Sequence, residues 1–149
     1  METREQTPRE RVIDLLRGYN YLCGRILNIE ESIYETRSRL ESSSTSSVGG
    51  TPMYGGSDRY SEKLACGFDR LHNLELDLCV LQADKRTIDY AMDNHLSDME
   101  KDVINLFYIN RPRDKTHVIK LRKKYYYEKT RIYEIKDEAI DKLVKAIIG

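Results

Sequence analysis

Tryptophan is absent from this chain, phenylalanine occurs twice, and proline and cysteine occur three times each. The aromatic content, 9%, is nearly all tyrosine, and so little Phe and Trp in a chain that is 34% charged argues against a large, densely packed α/β core. The cysteines, Cys23, Cys66 and Cys79, are odd in number and far apart. They form no CxxC and no Cys/His pair at metal-ligand spacing, so they read as reduced thiols beside helix packing. The histidines, His72, His95 and His117, are isolated from one another and from any Cys/Asp/Glu set. No GxGxxG, Walker loop or GxSxG is present. Acidic pairs such as Glu30-Glu31 sit in helix-patterned sequence and read as solvated surface. These absences predict a protein that is not an enzyme and uses no cofactor and no metal. The opening METREQTPRERVIDLL lacks the apolar run of a signal peptide. No apolar stretch approaches the roughly 20 residues that span a membrane. The expectation is a cytoplasmic protein with no membrane partner.

What is present is charge and helical periodicity. The formal charge of zero hides an asymmetry. Between Asn110 and Lys136 stand ten Lys or Arg against three acids, a net of +7. The rest of the chain carries fifteen bases against twenty-two acids, a net of −7. A basic segment on an otherwise acidic protein points to a polyanionic partner for that segment.

Thr7-Pro8-Arg9-Glu10 is a helix start: Thr7 can cap, Glu10 can close the capping box and Pro8 suits the first helical position. Val12, Leu15, Tyr19, Leu22, Ile26, Ile29, Ile33, Thr36 and Leu40 then recur at alternating spacings of 3 and 4. This is a coiled-coil seam. It predicts a helix to about Glu41, about 50 Å long, with Gly18 and Gly24 off the seam. Residues 42–57 are almost all Ser, Thr and Gly, a composition that predicts a flexible loop. A second helix is expected from Asp58 or Ser61 to about Asn94. Leu64, Leu71, Leu74, Leu78, Leu81, Ile88 and Met92 continue the register, Gly67 and Lys85 interrupt it, and Phe68 stands ready to fill the gap at Gly67. Two helices joined this way predict an antiparallel hairpin over 7–95. Leu16, Cys23 and Phe68 widen its apolar face, which predicts a further packing partner, with self-association into a homodimer favoured.

A second capping box, Ser97-Asp98-Met99-Glu100, opens a third helix over about Asp98–Tyr108, with Met99, Val103, Leu106 and Phe107 inward. Asn110-Arg111-Pro112 ends it. Thr116 is placed to cap a fourth helix through Val118 and Leu121 to about Lys124. A short turn around Tyr125-Tyr126-Tyr127 leads to a last helix, about Glu128–Ile148, with Ile132, Ile135, Ala139, Leu143 and Ile147 inward. The predicted fold class is therefore all-α: a long antiparallel helical hairpin, then a three-helix helix-turn-helix module over 97–149.

In such a module the second helix lies in the major groove and the first crosses the backbone. Lys120, Lys123 and Lys124 on the first helix are candidates for phosphate contacts. Tyr127, Lys129, Thr130, Tyr133 and Glu134 occupy the turn and first turns of the second, flanked by Arg131 and Lys136. Lys and Arg supply salt-sensitive affinity, while Thr, Tyr and Glu can discriminate bases.

MEKDVINLFYINRP followed by LRKKYYYEKTRIYEIKDEAIDKL resembles the sigma region-4-type helix-turn-helix of small Gram-positive phage transcriptional regulators (the ArpU/RinA-like late-gene activator group). The shared pattern is the Tyr108-Ile109-Asn110 exit, the Leu121 anchor, Tyr127 with Ile132-Tyr133 and Ile135, and Glu138-Ala139-Ile140 with Lys142-Leu143. The likeness in layout covers about Asp14 to Leu143. It implies control of phage late genes by binding double-stranded promoter DNA, with host RNA polymerase as a second partner. Three positions depart from the pattern. Arg122 stands where an Ala or Gly lets the helices cross, Tyr126 where a glycine makes the turn, and Glu134 where an arginine is frequent. These departures leave open an alternative reading: a phage interaction or inhibitor protein that binds a host enzyme through the hairpin, in an anti-defence role.

Overall fold

The computed structural model describes residues 4–46 and 57–149. Among the described residues every regular element is helical: α1 (Pro8–Arg17), α2 (Tyr19–Ser46), α3 (Ser57–His95), α4 (Asp98–Ile104), a π-helical turn (Asn105–Ile109), α5 (His117–Tyr125) and α6 (Lys129–Ile147). No helix among them is long and apolar enough to cross a membrane.

Local chemistry explains the starts of α1 and α4. Both capping boxes form: Thr7 accepts from the Glu10 amide and Glu10 from the Thr7 amide, and Ser97 pairs with Glu100 the same way. Thr116 does not cap α5. Its hydroxyl donates instead to the Asp114 carboxylate at 2.7 Å. Side chains such as Asp offer a neighbouring hydroxyl a local alternative to capping.

The expected first helix is two helices. Gly18 closes α1, its amide donating to the carbonyls of Asp14 and Leu16. The interruption moves the register by one position: Leu16 is fully buried and Leu15 is 40% exposed. The seam resumes in α2, where Ile26, Ile33 and Thr36 are buried. Helix α2 also continues to Ser46, past the expected end at Glu41. The remainder of the expected flexible loop, 47–56, lies outside the described residues.

The described chain forms two compact units, one comprising residues up to Leu22 together with Asp84–Gly149, the other Cys23–Ala83. In the second unit α2 and α3 run in opposite directions. Arg37 pairs with Glu75 at 2.7 Å. Leu40 lies so close to Gly67 that a β-carbon there would sit 2.7 Å from its Cδ2. The gap in the α3 seam is therefore filled from α2 by Leu40, while Phe68 is 57% exposed.

The other unit has two apolar clusters. One gathers Val12, Leu16, Ile88, Ala91, Leu96, Ile104, Ala139, Ile140 and Leu143. The second gathers Val103, Phe107, Leu121, Ile132 and Ile135. Helix α6 serves both, with Ile132 and Ile135 in one and Ala139, Ile140 and Leu143 in the other. Helix α1 packs on α6 as well, where Arg9 bridges Asp137 at 2.7 Å and Asp141 at 2.9 Å. The segment after residue 97 thus shares a core with α1 and with the last three turns of α3. At the π-helical turn the Asn110 amide reaches the Asn105 carbonyl at 2.7 Å. The Asn110 carboxamide donates to Asn105 Oδ1, and Asn20 donates to Asn110 Oδ1 and the Ile109 carbonyl. These bonds account for the polar exit that follows α4.

Candidate nucleic-acid interface

Leu121 and Ile132, both fully buried, set the relation of α5 to α6. Their side chains meet Val103, Phe107 and Ile135, with Val118, Tyr125 and Tyr133 at the edge. The turn between the helices is made by Tyr126, which adopts a left-handed conformation (φ 60°, ψ 31°) and whose amide closes the end of α5 on the Arg122 carbonyl. Its ring is 91% exposed. A tyrosine thus takes the conformation that favours glycine, at a cost of about 1–2 kcal/mol.

A clamp fixes the end of α5. The Asp102 carboxylate on α4 accepts from Lys124 Nζ and from the Tyr125 hydroxyl. The Lys124 bond first, then the Tyr125 bond, outweigh burial and hold the Asp102 carboxyl below its ordinary range. The same contact raises Lys124, while burial and Asp102 raise Tyr125. A comparable tie joins α6 to α4. Glu100, 8% exposed, accepts from Lys142 at 2.9 Å. Burial pushes its carboxyl up, but the Lys142 and Ser97 bonds together leave it lowered.

His117, 5% exposed, opens α5 with its ring edge-on to Phe107 at 4.6 Å between centroids. Its Nδ1 is buried without a hydrogen-bond partner among the described residues. Burial, with Arg111 second, lowers its pKa.

The ten candidate residues fall into three groups. Lys120, Lys123, Tyr127, Lys129 and Thr130 are exposed on α5, the turn and the start of α6, and the three lysines among them hold no ion pair among the described residues. Lys124, Arg131 and Glu134 are exposed but engaged, since Lys124 serves the clamp and Arg131 bridges Glu134 at 3.2 Å and Glu138 at 3.5 Å. Those two carboxylates raise the Arg131 pKa, the Glu134 bond foremost. Tyr133 and Lys136 are half-buried. The Tyr133 ring packs on Phe107 at 5.5 Å. Lys136 Nζ lies 5.1 Å from the Tyr133 ring centre and 3.3 Å from Asp137.

Four residues that sequence reasoning left out of the site, Ile119, Arg122, Tyr126 and Glu128, belong to the same surface. Arg122 is exposed, so the close crossing of the helices does not fall on it. Ile119 is 52% exposed. Together with Lys123, Tyr126, Tyr127 and Glu128 they line an open cleft of about 540 Å³. The Ile119, Arg122, Lys123 and Tyr126 spacing of 3, 1 and 3 is a helical face, and was a signal available in the sequence.

Among the described residues, no group of three His, Cys, Asp or Glu side chains is placed to hold a metal ion. Cys23 is half-buried, and Cys66 and Cys79 are exposed and free. No protein-family model, no curated protein and no solved structure matches the chain.

Proposed function

We propose that this chain is a sequence-specific DNA-binding transcription regulator of phage late genes. The pair α5–α6 acts as a helix-turn-helix module behind a helical hairpin. The observation that carries the reading is the surface of Lys120, Lys123, Tyr127, Lys129 and Thr130. These exposed side chains stand on two helices that share one buried cluster, to which each contributes a fully buried residue, Leu121 and Ile132. In this reading the first turn of α6 enters the major groove, where Thr130 reads base edges, and α5 lays Lys120 and Lys123 along the phosphates. Lys124 and Arg131 spend part of their charge within the protein, so they contribute less than the other cations. Tyr133 and Lys136 position α6 on Phe107 rather than read bases. The exposed Leu27, Tyr34, Phe68, Leu76 and Val80 of α2 and α3 favour a hairpin that also binds protein. A homodimer would address two half-sites about 34 Å apart or a multiple of it. Host RNA polymerase is the other partner this surface suits.

The test is fluorescence anisotropy with duplexes from the phage's own late promoter region, across a salt series. The expected result is salt-sensitive binding at low ionic strength. Lys123→Glu should weaken binding to all sequences alike, while Thr130→Ala should alter preference. Lys124 is unsuited to this test, because its replacement also releases Asp102. Absence of any salt-sensitive binding overturns the proposal. A stoichiometric host protein captured by the hairpin without DNA would favour the inhibitor reading, for which the same exposed apolar side chains speak.

A further inference from the structure

We propose that the cleft on the outer face of α5 takes an unpaired nucleobase, so that the protein binds DNA most tightly where the duplex is locally open. This rests on the DNA-binding reading above and names what its surface engages beyond phosphate and base edges.

The argument begins with what the cleft exposes. Phosphate contact needs cations and hydrogen-bond donors, and Arg122 and Lys123 supply both. It has no use for Ile119, which is 52% exposed, or for the ring of Tyr126, which is 91% exposed. Tyr127, 44% exposed, adds a second ring. Neither Tyr126 nor Ile119 belongs to either apolar cluster. Moreover Tyr126 holds a left-handed backbone that favours glycine (φ 60°), a conformation shared among the described non-glycine residues with Lys115 (φ 57°). The chain there carries a large aromatic side chain with no packing role, in a conformation that disfavours it.

The chemistry selects the occupant. An apolar surface, two aromatic rings and two cations in one open cleft of about 540 Å³ suit a flat, apolar-faced group attached to an anion. The volume lies within the ~300–1,000 Å³ usual for small-ligand sites. A nucleotide with its base unstacked meets that description. Base pairs inside a duplex hide their faces and present only edges, so intact double-stranded DNA cannot use these rings. Stacking on an aromatic side chain is the usual way proteins hold unpaired bases, aided by Arg over the ring. Glu128, the one carboxylate of the cleft, repels phosphate but can accept from an exocyclic base amine. The arrangement therefore favours the base inside the cleft and the phosphate on its Arg122–Lys123 side.

The test compares the full-length chain on one DNA sequence presented as a perfect duplex and as the same duplex with a central unpaired bubble. Stacking one base on one ring corresponds to an affinity gain of about fivefold to 150-fold. We expect the wild type to bind the bubble about tenfold tighter. Tyr126→Gly, which suits the backbone and so keeps the fold, should bind the duplex as before and lose the increment. The chain contains no tryptophan, so Tyr126→Trp introduces a single reporter, expected to be quenched by the bubble and not by the duplex. Equal affinity for the two DNAs, an increment that survives in Tyr126→Gly, or equal quenching by both overturns this proposal and leaves duplex binding standing. Binding to the bubble alone supports the cleft and overturns the duplex reading. Failure to bind either DNA in a salt-sensitive way overturns both.

Discussion

Replacing Tyr126 by glycine should make this protein more stable, although it removes a large side chain. The left-handed conformation costs an L-residue with a Cβ about 1–2 kcal/mol. Glycine avoids that cost but loses about 0.5–1 kcal/mol through the greater freedom of its unfolded state. The ring is 91% exposed and lies in neither apolar cluster, so its removal forfeits little burial. The amide that bonds the Arg122 carbonyl is retained. The net gain is about 0.5–1 kcal/mol, a rise in Tm of about 1–4 °C. Urea and thermal unfolding followed by far-ultraviolet circular dichroism would measure it. Tyr126→Ala is the control, because it removes the ring and keeps the strained backbone, and it should leave stability unchanged. The reasoning fails if the glycine variant is no more stable than the alanine variant. It also fails if alanine itself is destabilising, which would mean that the ring packs in solution.

Three further outcomes follow from the same packing. Leu121→Ala, at a fully buried position, should cost about 2–5 kcal/mol in urea unfolding, and a loss below 1 kcal/mol would show that the α5–α6 contact is not a true core. A β-carbon added at Gly24 meets nothing within 4 Å. Gly24→Ala should therefore stabilise α2 by up to about 1 kcal/mol, and a destabilised variant would place an unseen neighbour there. His117, lowered by burial, should give a stability that is full above about pH 6.5, where the unfolded chain also leaves it neutral, and that falls as pH drops below it. His117→Phe should flatten the urea midpoint between about pH 6.5 and 5, a window above the one in which Asp102 and Glu100 take up protons. An unchanged slope there would refute the assignment.

The candidate surface shows where reading by pattern stops. Lys123 and Lys124 are neighbours of the same type on the same helix, and nothing local separates them. Asp102, twenty-two residues upstream, takes Lys124 and leaves Lys123 exposed, without an ion pair among the described residues. Tyr133 lies beside the buried Ile132 and looks available for bases, yet the Phe107 ring from the π-helical turn lies against it. Thr116 has the residue type of a cap, but Asp114 two positions away competes for its hydroxyl. The glycine at 67 reads as an interruption of the α3 stripe until Leu40 of α2 is seen beside it.

The sequence by itself determined the all-helical class, two capping boxes and the inward stripe of α6. Each of these depends on residues three or four positions apart, which a helix brings together whatever surrounds it. Only the tertiary structure decided that Gly18 divides the first helix and buries Leu16 in place of Leu15. Only it decided that α6 serves two cores at once, and that Lys124, Arg131 and Lys136 of the +7 segment take carboxylate partners. Those outcomes depend on contacts between residues up to 132 positions apart, such as Arg9 with Asp141. A periodic pattern records which face of a helix is apolar, not what will be packed against it.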